Sequence, residues 1–398
     1  MFTPRTSTLH SLAMQNKDRQ KIVIISDAGR YHDDEIALVV AAGMVKSGLI
    51  EIKGVIANLK PAKLRARLIK GILTALNLPD IPVGMGEAVN EHADSSADDF
   101  HASYLSAEED FPNGQLLLKK ILEHAEESSL TLLLISGLTD ANLFLADNVE
   151  LAKRKLKKIV FMGGVETDQQ GLKLDAHGYL MPDKSYNNNI DLPSAQSSFQ
   201  LIQAADIPFT IISRHCGMAC AFTPSFYERL AQENSPIGKR LYGAQAKELQ
   251  NLWQRVCLEL DDVRREDLAA YCNKQWFLKT YTNNSPALHA LTTEDNIWPH
   301  ISKLTIYDAV TLLFAVLPEL FSPVIDTSRK TEYAVAGISA DHPGVDDIDQ
   351  VRRVLTAFAV HGLSVGELYK SLIKALSIFS HAVGNPIQDT NIKRDFLP

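Results

Sequence analysis

Four acidic residues lie just beyond the first apolar segment of this chain. Residues 22–25 are all apolar and predict a buried strand, and Asp27 comes shortly after it. Asp33, Asp34 and Glu35 then begin an apolar, alanine-rich segment with helical periodicity. Ligands of open α/β sheets bind beyond the carboxyl ends of the strands. Because crowded carboxylates repel one another unless a cation lies between them, these oxygen donors predict a site for Ca²⁺ or Mg²⁺ rather than zinc.

The same acidic residues also have a purely structural explanation. Asp and Glu in a first helical turn interact favourably with the helix dipole and can cap free N–H groups, so Asp34 or Glu35 could serve only the helix. Asp27 is harder to explain in this way, because it lies at a strand end before Gly29, where no cap is needed. The local pattern therefore leaves a ligand site and a helix start as alternatives.

Apolar strands alternate with amphipathic helices along most of the chain. This alternation predicts an α/β fold with an open, mostly parallel sheet, helices on both faces and a helical C-terminal portion. The predicted strands after the first are, in order, 51–57, 80–83, 130–135, 158–162, 208–213 and 333–338. A closing helix is predicted at 366–383. We expect a flexible N-terminal tail at 1–20 and a single domain at 21–398, because no repeat or flexible linker divides the chain.

The composition limits the kinds of molecule that this protein is expected to bind. The formal net charge is -8 at pH 7 and no extended basic patch is present, which argues against nucleic acid as a partner. No apolar run is long enough to cross a membrane, and the N-terminus lacks the apolar core of a signal peptide. The four cysteines have no metal-finger spacing and are expected to be reduced thiols. We therefore expect a cytoplasmic protein with a small-molecule ligand, with delivery by a specialised secretion system as a further route.

Several separated segments together resemble one family, the inosine-uridine nucleoside hydrolases. Asp27, Gly29, Asp33 and Asp34 resemble the later members of the D-x-D-x-G-x-D-D motif of that family. Further resemblances follow in the same order along the chain: GVIAN at 54–58, Leu138-Thr139, FMGG at 161–164, Tyr186-Asn187 with Asp191, and Tyr307-Asp308. No single motif is decisive because each is short, but the ordered set of motifs across residues 21–380 is specific to this family. The resemblance implies a nucleoside hydrolase-like fold.

The resemblance implies a Ca²⁺-dependent N-ribohydrolase that cleaves the N-glycosidic bond of a ribonucleoside or a ribose-containing nucleotide. The implied Ca²⁺ ligands are the side chains of Asp27, Asp34 and Asp308 and the carbonyl of Ile135. The reaction passes through an oxocarbenium-like sugar, which water activated by the metal would attack, with Asp27 as the base. The family also implies a homo-oligomer, either a dimer or a tetramer.

Ribose hydroxyls would be held by three polar residues, Asp33, Asn58 and Asn187. Asn58 alone could be a turn residue, and Asn187 lies in a polar stretch where Asn is common in any case. Asp308 has a structural alternative as well, because it could cap the helix that follows it. Its combination with the first acidic motif favours the metal site, since Ca²⁺ binds several carboxylates.

A long acidic segment at 87–113 adds two further candidates. A loop of this length in a compact domain is usually functional or mobile. If it closes over the site, His101 or Tyr104 becomes a candidate for substrate contact.

The sequence departs from the family motifs at three positions. Ile25 stands where the first Asp is expected, Ser185 replaces a Glu that contacts the 5′-hydroxyl, and Tyr307 replaces a His that protonates the leaving base. Tyrosine, with a reference pKa near ~10, is a weaker acid but can still donate a hydrogen bond. Loss of the 5′-hydroxyl partner fits a ribose with a 5′-phosphate, which Arg30 or His32 could face.

These changes resemble a divergent branch of the family that includes nucleoside-hydrolase-like type III effectors of plant-pathogenic bacteria. That branch implies binding of ribose nucleotides such as ADP-ribose. Two functions follow as alternatives: a Ca²⁺-dependent hydrolase with Asp27 and Tyr307 as catalytic residues, and an effector-like ribose-nucleotide binding protein with weak catalysis. Both share the metal site and differ at the group that assists departure of the base.

Overall fold

The structure is a computed structural model that describes residues 19–29, 32–87, 100–107, 110–168, 171–265, 268–326 and 331–364. Arg30 and the predicted helix at 366–383 lie outside these ranges, as does the predicted tail up to residue 18.

Strands and helices alternate through most of the described chain. The strands are β1 (Gln20–Ser26), β2 (Ile50–Ala57), β3 (Val83–Met85), β4 (Leu130–Ile135), β5 (Leu156–Met162), β6 (Thr167–Asp168), β7 (Gly171–Leu172), β8 (Phe209–Ile212), β9 (Val324–Asp326) and β10 (Tyr333–Ala336). The α-helices are α1 (His32–Lys46), α2 (Ala62–Ala75), α3 (Gly114–Glu123), α4 (Thr139–Lys155), α5 (Tyr186–Ile190), α6 (Leu192–Ala204), α7 (Arg214–Ala219), α8 (Pro224–Gln232), α9 (Pro236–Val256), α10 (Lys274–Tyr281), α11 (Tyr307–Val316) and α12 (Ile348–Leu363). Short 3₁₀ helices span Val263–Arg265, Pro286–Ala290, Trp298–His300 and Pro318–Leu320. Among the described helices, none is both long enough and apolar enough to cross a membrane.

Within the described residues, eight strands form one sheet in the order β3-β2-β1-β4-β5-β8-β10-β9. Neighbouring strands are parallel, except that the edge strand β9 pairs with β10 in the antiparallel sense. The predicted open, mostly parallel α/β sheet is therefore confirmed.

Some predicted elements differ from the structure. The third strand, predicted at 80–83, lies at Val83–Met85. Pro82 has no N–H to donate to a strand ladder, so the strand begins after it, and its carbonyl accepts a hydrogen bond from the Val55 N–H at 3.0 Å. The edge strand β9, which is only three residues long, and the helix α12 have no counterpart among the predicted elements.

Both faces of the sheet are covered by helices. Ile22 and Ile24 of β1 point into one core, together with side chains of α1, α2, α11 and α12. Val23 and Ile25 point into the opposite core, together with side chains of α3, α4 and α6. Successive side chains of a strand point to opposite faces, so a strand buried on both sides needs a continuous apolar run. This is the physical reason for the apolar sequence of β1.

The order of the strands reverses beside β1. The chain runs from β1 outwards to β2 and β3, then returns to β4 on the other side of β1 and continues to β5. Such a reversal leaves a crevice beyond the carboxyl ends of the two central strands, where ligands bind in open α/β sheets. Asp27 follows β1 and Ile135 ends β4, so both residues lie at this crevice.

Candidate active site

A hydrogen-bonded turn joins the carboxyl end of β1 to the first turn of α1. Ser26 Oγ donates to Asp34 Oδ1 at 2.6 Å, and the backbone N–H of Asp27 donates to the same oxygen at 3.1 Å. Asp34 is buried, and hydrogen bonds to a carboxylate favour its charged form. These two bonds hold the Asp34 carboxylate at the crevice.

Three carboxylates meet at this point. Oxygen atoms of Asp33, Asp34 and Asp308 lie within 4.8 Å of one another, although Asp308 belongs to the first turn of α11, far along the chain. Burial and then the charge of Asp27 raise the pKa of Asp33 to about 7. Burial and the neighbouring carboxylates also hold the pKa values of Asp34 and Asp308 well above the ordinary range. The carboxylates therefore repel one another, and a cation between them would relieve that repulsion.

This donor set fits a hard divalent cation, which binds carboxylate and carbonyl oxygens. Asp27 and Ile135, two further predicted ligands, line the same cavity. Asp33, which was predicted to hold ribose, is itself one of the three close carboxylates. Ile306 is the N-cap residue of α11, so Asp308 does not serve as that cap. The individual ligand roles stay predictions.

A buried arginine that the sequence did not single out holds the loop after β1. Nη1 of Arg65 in α2 donates to the carbonyls of Asp27 and Ala28 at 2.6 and 3.1 Å. Its Nε and Nη2 donate to the carbonyl of Lys60 at 3.0 and 2.9 Å. The side chain is fully buried, so its charge is compensated by these carbonyls. In the sequence Arg65 is one of several cations on an amphipathic helix, and no spacing distinguishes it.

An ion pair and a histidine–carboxylate contact attach the start of α1 to α9. Arg240 Nη1 lies 2.8 and 2.9 Å from the two carboxylate oxygens of Glu35, and the two side chains are 9% and 0% exposed. His32 Nδ1 lies 3.3 Å from Glu248 Oε2. Burial lowers the pKa of His32, but the carboxylates of Glu248 and Glu35 outweigh it, so the pKa is raised overall. These pairs hold α9 as a wall of the crevice.

The crevice is a cavity of about 410 Å³. This volume is within the range of small-molecule binding sites. Apart from the acidic residues, four apolar or aromatic side chains from α9, α10 and the segment before α11 contribute to its wall: Leu249, Leu252, Tyr281 and Leu304. The cavity thus offers oxygen donors for a cation and a sugar, and an apolar surface for a ring system.

Tyr307 and Asn187 line the same cavity. Asn187 Nδ2 donates to the carbonyl of Met162 at 3.0 Å, which fixes the orientation of the amide at the end of β5. Burial is the main cause that raises the pKa of Tyr307, and the charge of Asp33 adds to it. The hydroxyl is therefore a hydrogen-bond donor at neutral pH. Gly217 lies against the tyrosine ring, since a Cβ at that position would collide with Tyr307 Cδ1.

The sequence profile of the family described as inosine-uridine preferring nucleoside hydrolase matches residues 22–344, a range that contains all the residues of this cavity. The chain belongs to this family. The family expected from the sequence motifs is therefore confirmed.

Relatives of two kinds are similar to this nucleoside hydrolase family member. Pyrimidine-specific ribonucleoside hydrolase RihA from Enterobacter sp. (strain 638) is 29% identical over 187 residues, which cover 44% of this chain and 56% of RihA. The match thus spans little more than half of RihA. Type III effector protein XopQ, solved in complex with adenosine diphosphate ribose, has a TM-score of 0.75 and 26% identity, over 91% of this chain and 100% of that chain. Effector protein XOO4466 has the same fold, with a TM-score of 0.74 and 24% identity over 91% of this chain and 100% of its own. The expected similarity to type III effectors is therefore also confirmed.

Asn58, a predicted ribose contact, is not among the described residues that line the cavity of this nucleoside hydrolase family member. Its side chain is 0% exposed. Nδ2 donates to Ser136 Oγ at 2.8 Å and to the carbonyl of Gly137 at 2.7 Å. Both amide hydrogens therefore connect the end of β2 to the end of β4, and the ribose-binding role of Asn58 stays a prediction.

The candidates from the long acidic segment lie around the Glu35–Arg240 pair. The carbonyl of His101 accepts from Arg240 Nε at 3.3 Å, and the imidazole is exposed. The Tyr104 hydroxyl lies 3.5 Å from Glu35 Oε2. Arg30 is outside the described residues. The substrate-binding roles of His101 and Arg30 stay predictions.

Two cations of the cavity lining were not singled out from the sequence, Lys184 and Arg214. Arg214 comes two residues after the end of β8, as Asp27 comes directly after β1. The rule that ligands bind beyond the carboxyl ends of parallel strands could therefore have identified Arg214. Lys184 lies in an irregular loop before α5, where no sequence signal distinguishes it.

Proposed function

We propose that this protein is a Ca²⁺-dependent N-ribohydrolase that cleaves the N-glycosidic bond of a ribonucleoside or a ribose-containing nucleotide. The observation that carries the proposal is the close group of Asp33, Asp34 and Asp308 at the crevice of a nucleoside hydrolase family chain. By their names, RihA acts on pyrimidine ribonucleosides and XopQ was solved with adenosine diphosphate ribose. Ribose is the chemical group that these ligands share.

The acidic residues of the crevice would hold the cation. Asp33, Asp34 and Asp308 contribute carboxylates, and Asp27 and the Ile135 carbonyl are the further expected ligands. Ca²⁺ suits this set because it takes about six to eight oxygen ligands in flexible geometry. When bound, the cation acts as a Lewis acid and makes a nucleophile available from water near neutral pH.

Asp27 assists the attack of water on the ribose, and Tyr307 assists the departure of the base. Asp27 accepts a proton from water as the water oxygen bonds to C1′ of the ribose. The C1′–N bond breaks, its electron pair moves to the base, and the Tyr307 hydroxyl donates a hydrogen bond to the leaving nitrogen. The departing base takes up a proton from solvent, and Asp27 later returns its proton to solvent. The buried tyrosine keeps its own proton at neutral pH, because burial raises its pKa.

A substrate panel with and without Ca²⁺ tests this function. Purine and pyrimidine ribonucleosides and nitrophenyl riboside are incubated with the full chain, and release of base or nitrophenolate is followed. We expect release to require Ca²⁺ and to fall by about 100-fold in D308N, which removes one charge from the three carboxylates. D349N, at an exposed position of α12 away from the cavity, should retain activity. No release from any substrate by the folded protein in Ca²⁺ would reject the hydrolase function.

A second candidate function is binding of a ribose nucleotide with little catalysis. Tyr307 favours it, because tyrosine is a weaker acid than histidine, and so does the ADP-ribose bound to XopQ. Calorimetric titration with ADP-ribose, combined with analysis of the same sample for free ribose phosphates and bases, separates the two functions. Tight binding with no turnover of any substrate would favour the binding protein.

We further propose an effector-like protein that is delivered by a specialised secretion system, acts in a cytoplasm and forms a homo-oligomer. The similarity to a type III effector supports the delivery route. A translocation reporter fused to the chain tests delivery, and light scattering after size exclusion tests the oligomer. A monomeric mass would reject the oligomer.

A further inference from the structure

Two positively charged side chains, those of Lys184 and Arg214, line the cavity. Within the part of the chain that the structure describes, neither Lys184 Nζ nor the Arg214 guanidinium takes part in a hydrogen bond or an ion pair. The other arginines around the crevice are occupied, because Arg65 donates to backbone carbonyls and Arg240 pairs with Glu35. Uncommitted cations in a cavity favour an anionic ligand.

Arg214 shares the cavity with the groups expected to react. Asp33, Tyr307 and Asp308 line the same cavity of about 410 Å³ as Arg214. One small ligand in this cavity could therefore contact the acidic residues and Arg214 together.

Ser185 removes one expected negative side chain from the region next to Lys184, while the neighbouring Asp183 carboxylate accepts from the Ser185 N–H at 2.8 Å and from Asn188 Nδ2 at 3.0 Å. Ser185 lines the cavity at the position where the family resemblance leads us to expect a Glu beside the 5′-hydroxyl of the ribose. Its hydroxyl accepts a hydrogen bond from Asn188 Nδ2 at 3.0 Å and is held in place. A carboxylate here would repel a phosphate, whereas a serine next to a lysine would not.

We infer that Lys184 and Arg214 form a phosphate subsite, so that the ligand of this cavity is a riboside with a phosphate or diphosphate on its 5′ carbon. This inference rests on the proposed ribose site and names the class of its ligand. Arginine binds phosphate with two parallel hydrogen bonds and lysine as a point charge. The two cations also offset the repulsion between a phosphate and the carboxylates of the crevice.

Calorimetric titrations of the full chain in Ca²⁺ with adenosine, AMP and ADP-ribose test the subsite. We expect AMP and ADP-ribose to bind at least about ten-fold more tightly than adenosine, since a hydrogen bond to a charged group contributes about this much. K184Q/R214Q should lose this preference and bind adenosine as before. K153Q/K157Q removes two exposed positive charges outside the cavity and should keep the preference. Added salt should weaken AMP binding more than adenosine binding.

The titrations distinguish failure of the phosphate subsite from failure of the proposed ribose site. If AMP and adenosine bind equally well to the wild type, or if K184Q/R214Q retains the preference, the phosphate subsite is wrong and the proposed ribose site stands. If no riboside is bound or turned over, the proposed function and the subsite both fail. Circular dichroism shows whether K184Q/R214Q is folded. Titrations of the single variants K184Q and R214Q provide a second test, because each should lose part of the preference for AMP.

Discussion

Ser26 Oγ donates a 2.6 Å hydrogen bond to Asp34 Oδ1 and so connects the last residue of β1 with the first turn of α1. The bond orients a carboxylate of the candidate metal site from the sheet itself. The position of that carboxylate therefore depends on where β1 ends, and the two central strands determine the geometry of the site.

Removing this bond should weaken cation binding. In S26A the Asp34 carboxylate loses a donor that favours its charged form, and we expect Ca²⁺ affinity to fall by about ten-fold or more. Calorimetric titration with Ca²⁺ measures the change. S47A removes a serine hydroxyl that bonds the Gly43 carbonyl at the far end of α1 and should leave the affinity unchanged. Equal affinities of S26A and S47A would show that the bond does not support the site.

The stabilisation by Ca²⁺ should grow from acid to neutral pH. Asp33 has a pKa of about 7 in the fold against 3.8 in an ordinary Asp, because burial and then the Asp27 charge disfavour its ionised form. An acid whose pKa is raised by folding stabilises the fold fully at pH values below its unfolded-state pKa. This stabilisation is lost as the pH rises through its folded-state pKa. Without Ca²⁺, the unfolding midpoint should therefore fall between about pH 4 and about pH 7, and Ca²⁺ should reverse the fall.

Scanning calorimetry at a series of pH values, with Ca²⁺ or with chelator, measures this effect. D308N removes one of the interacting carboxylates and should show a smaller fall in the chelator series. A midpoint that rises from about pH 4 to about pH 7 in chelator would contradict the repulsion among the acidic residues.

Breaking the buried pair between Glu35 and Arg240 should strongly destabilise the fold. R240M leaves the Glu35 carboxylate buried without its partner, and the free energy of unfolding should fall by about 3–5 kcal/mol. Replacing both residues, in E35M/R240M, should recover most of the loss. R229Q breaks the more exposed pair with Glu233 and should cost less than about 1 kcal/mol. Urea denaturation measures all three variants, and equal losses in R240M and R229Q would contradict the prediction.

Tyr307 should act on catalysis rather than on binding. If the hydrolase function holds, Y307F removes the donor to the leaving base, and kcat should fall by about 10- to 100-fold with little change in KM. Y307H introduces a group that can protonate the base and should raise turnover of purine nucleosides. Y333F, which removes a hydroxyl near the Gln203 carbonyl on the far side of the sheet, is the control. Steady-state kinetics test these expectations, and an unchanged kcat in Y307F would exclude the role.

The buried strands were the easiest elements to predict. Residues 130–135 form a continuous apolar run, and β4 has those same bounds because every side chain of the strand is buried on one face or the other. The third strand was placed too early because Pro82 interrupts the ladder. Arg65 and the pair between Glu35 and Arg240 were not predicted, since the paired residues are 205 positions apart and each looks like an ordinary charged residue in its own helix.

The amino-acid sequence by itself determined the family, the alternation of strands and helices, and the acidic residues at the end of β1. These are local features, because apolar periodicity and motif order can be read over short stretches. Tertiary structure decided which carboxylates meet, since Asp308 reaches Asp33 and Asp34 only when α11 packs beside α1. It also turned the amide of Asn58 towards Ser136 and brought Lys184 and Arg214 to one cavity. Such distances depend on how helices pack on a twisted sheet, which no short stretch of sequence specifies.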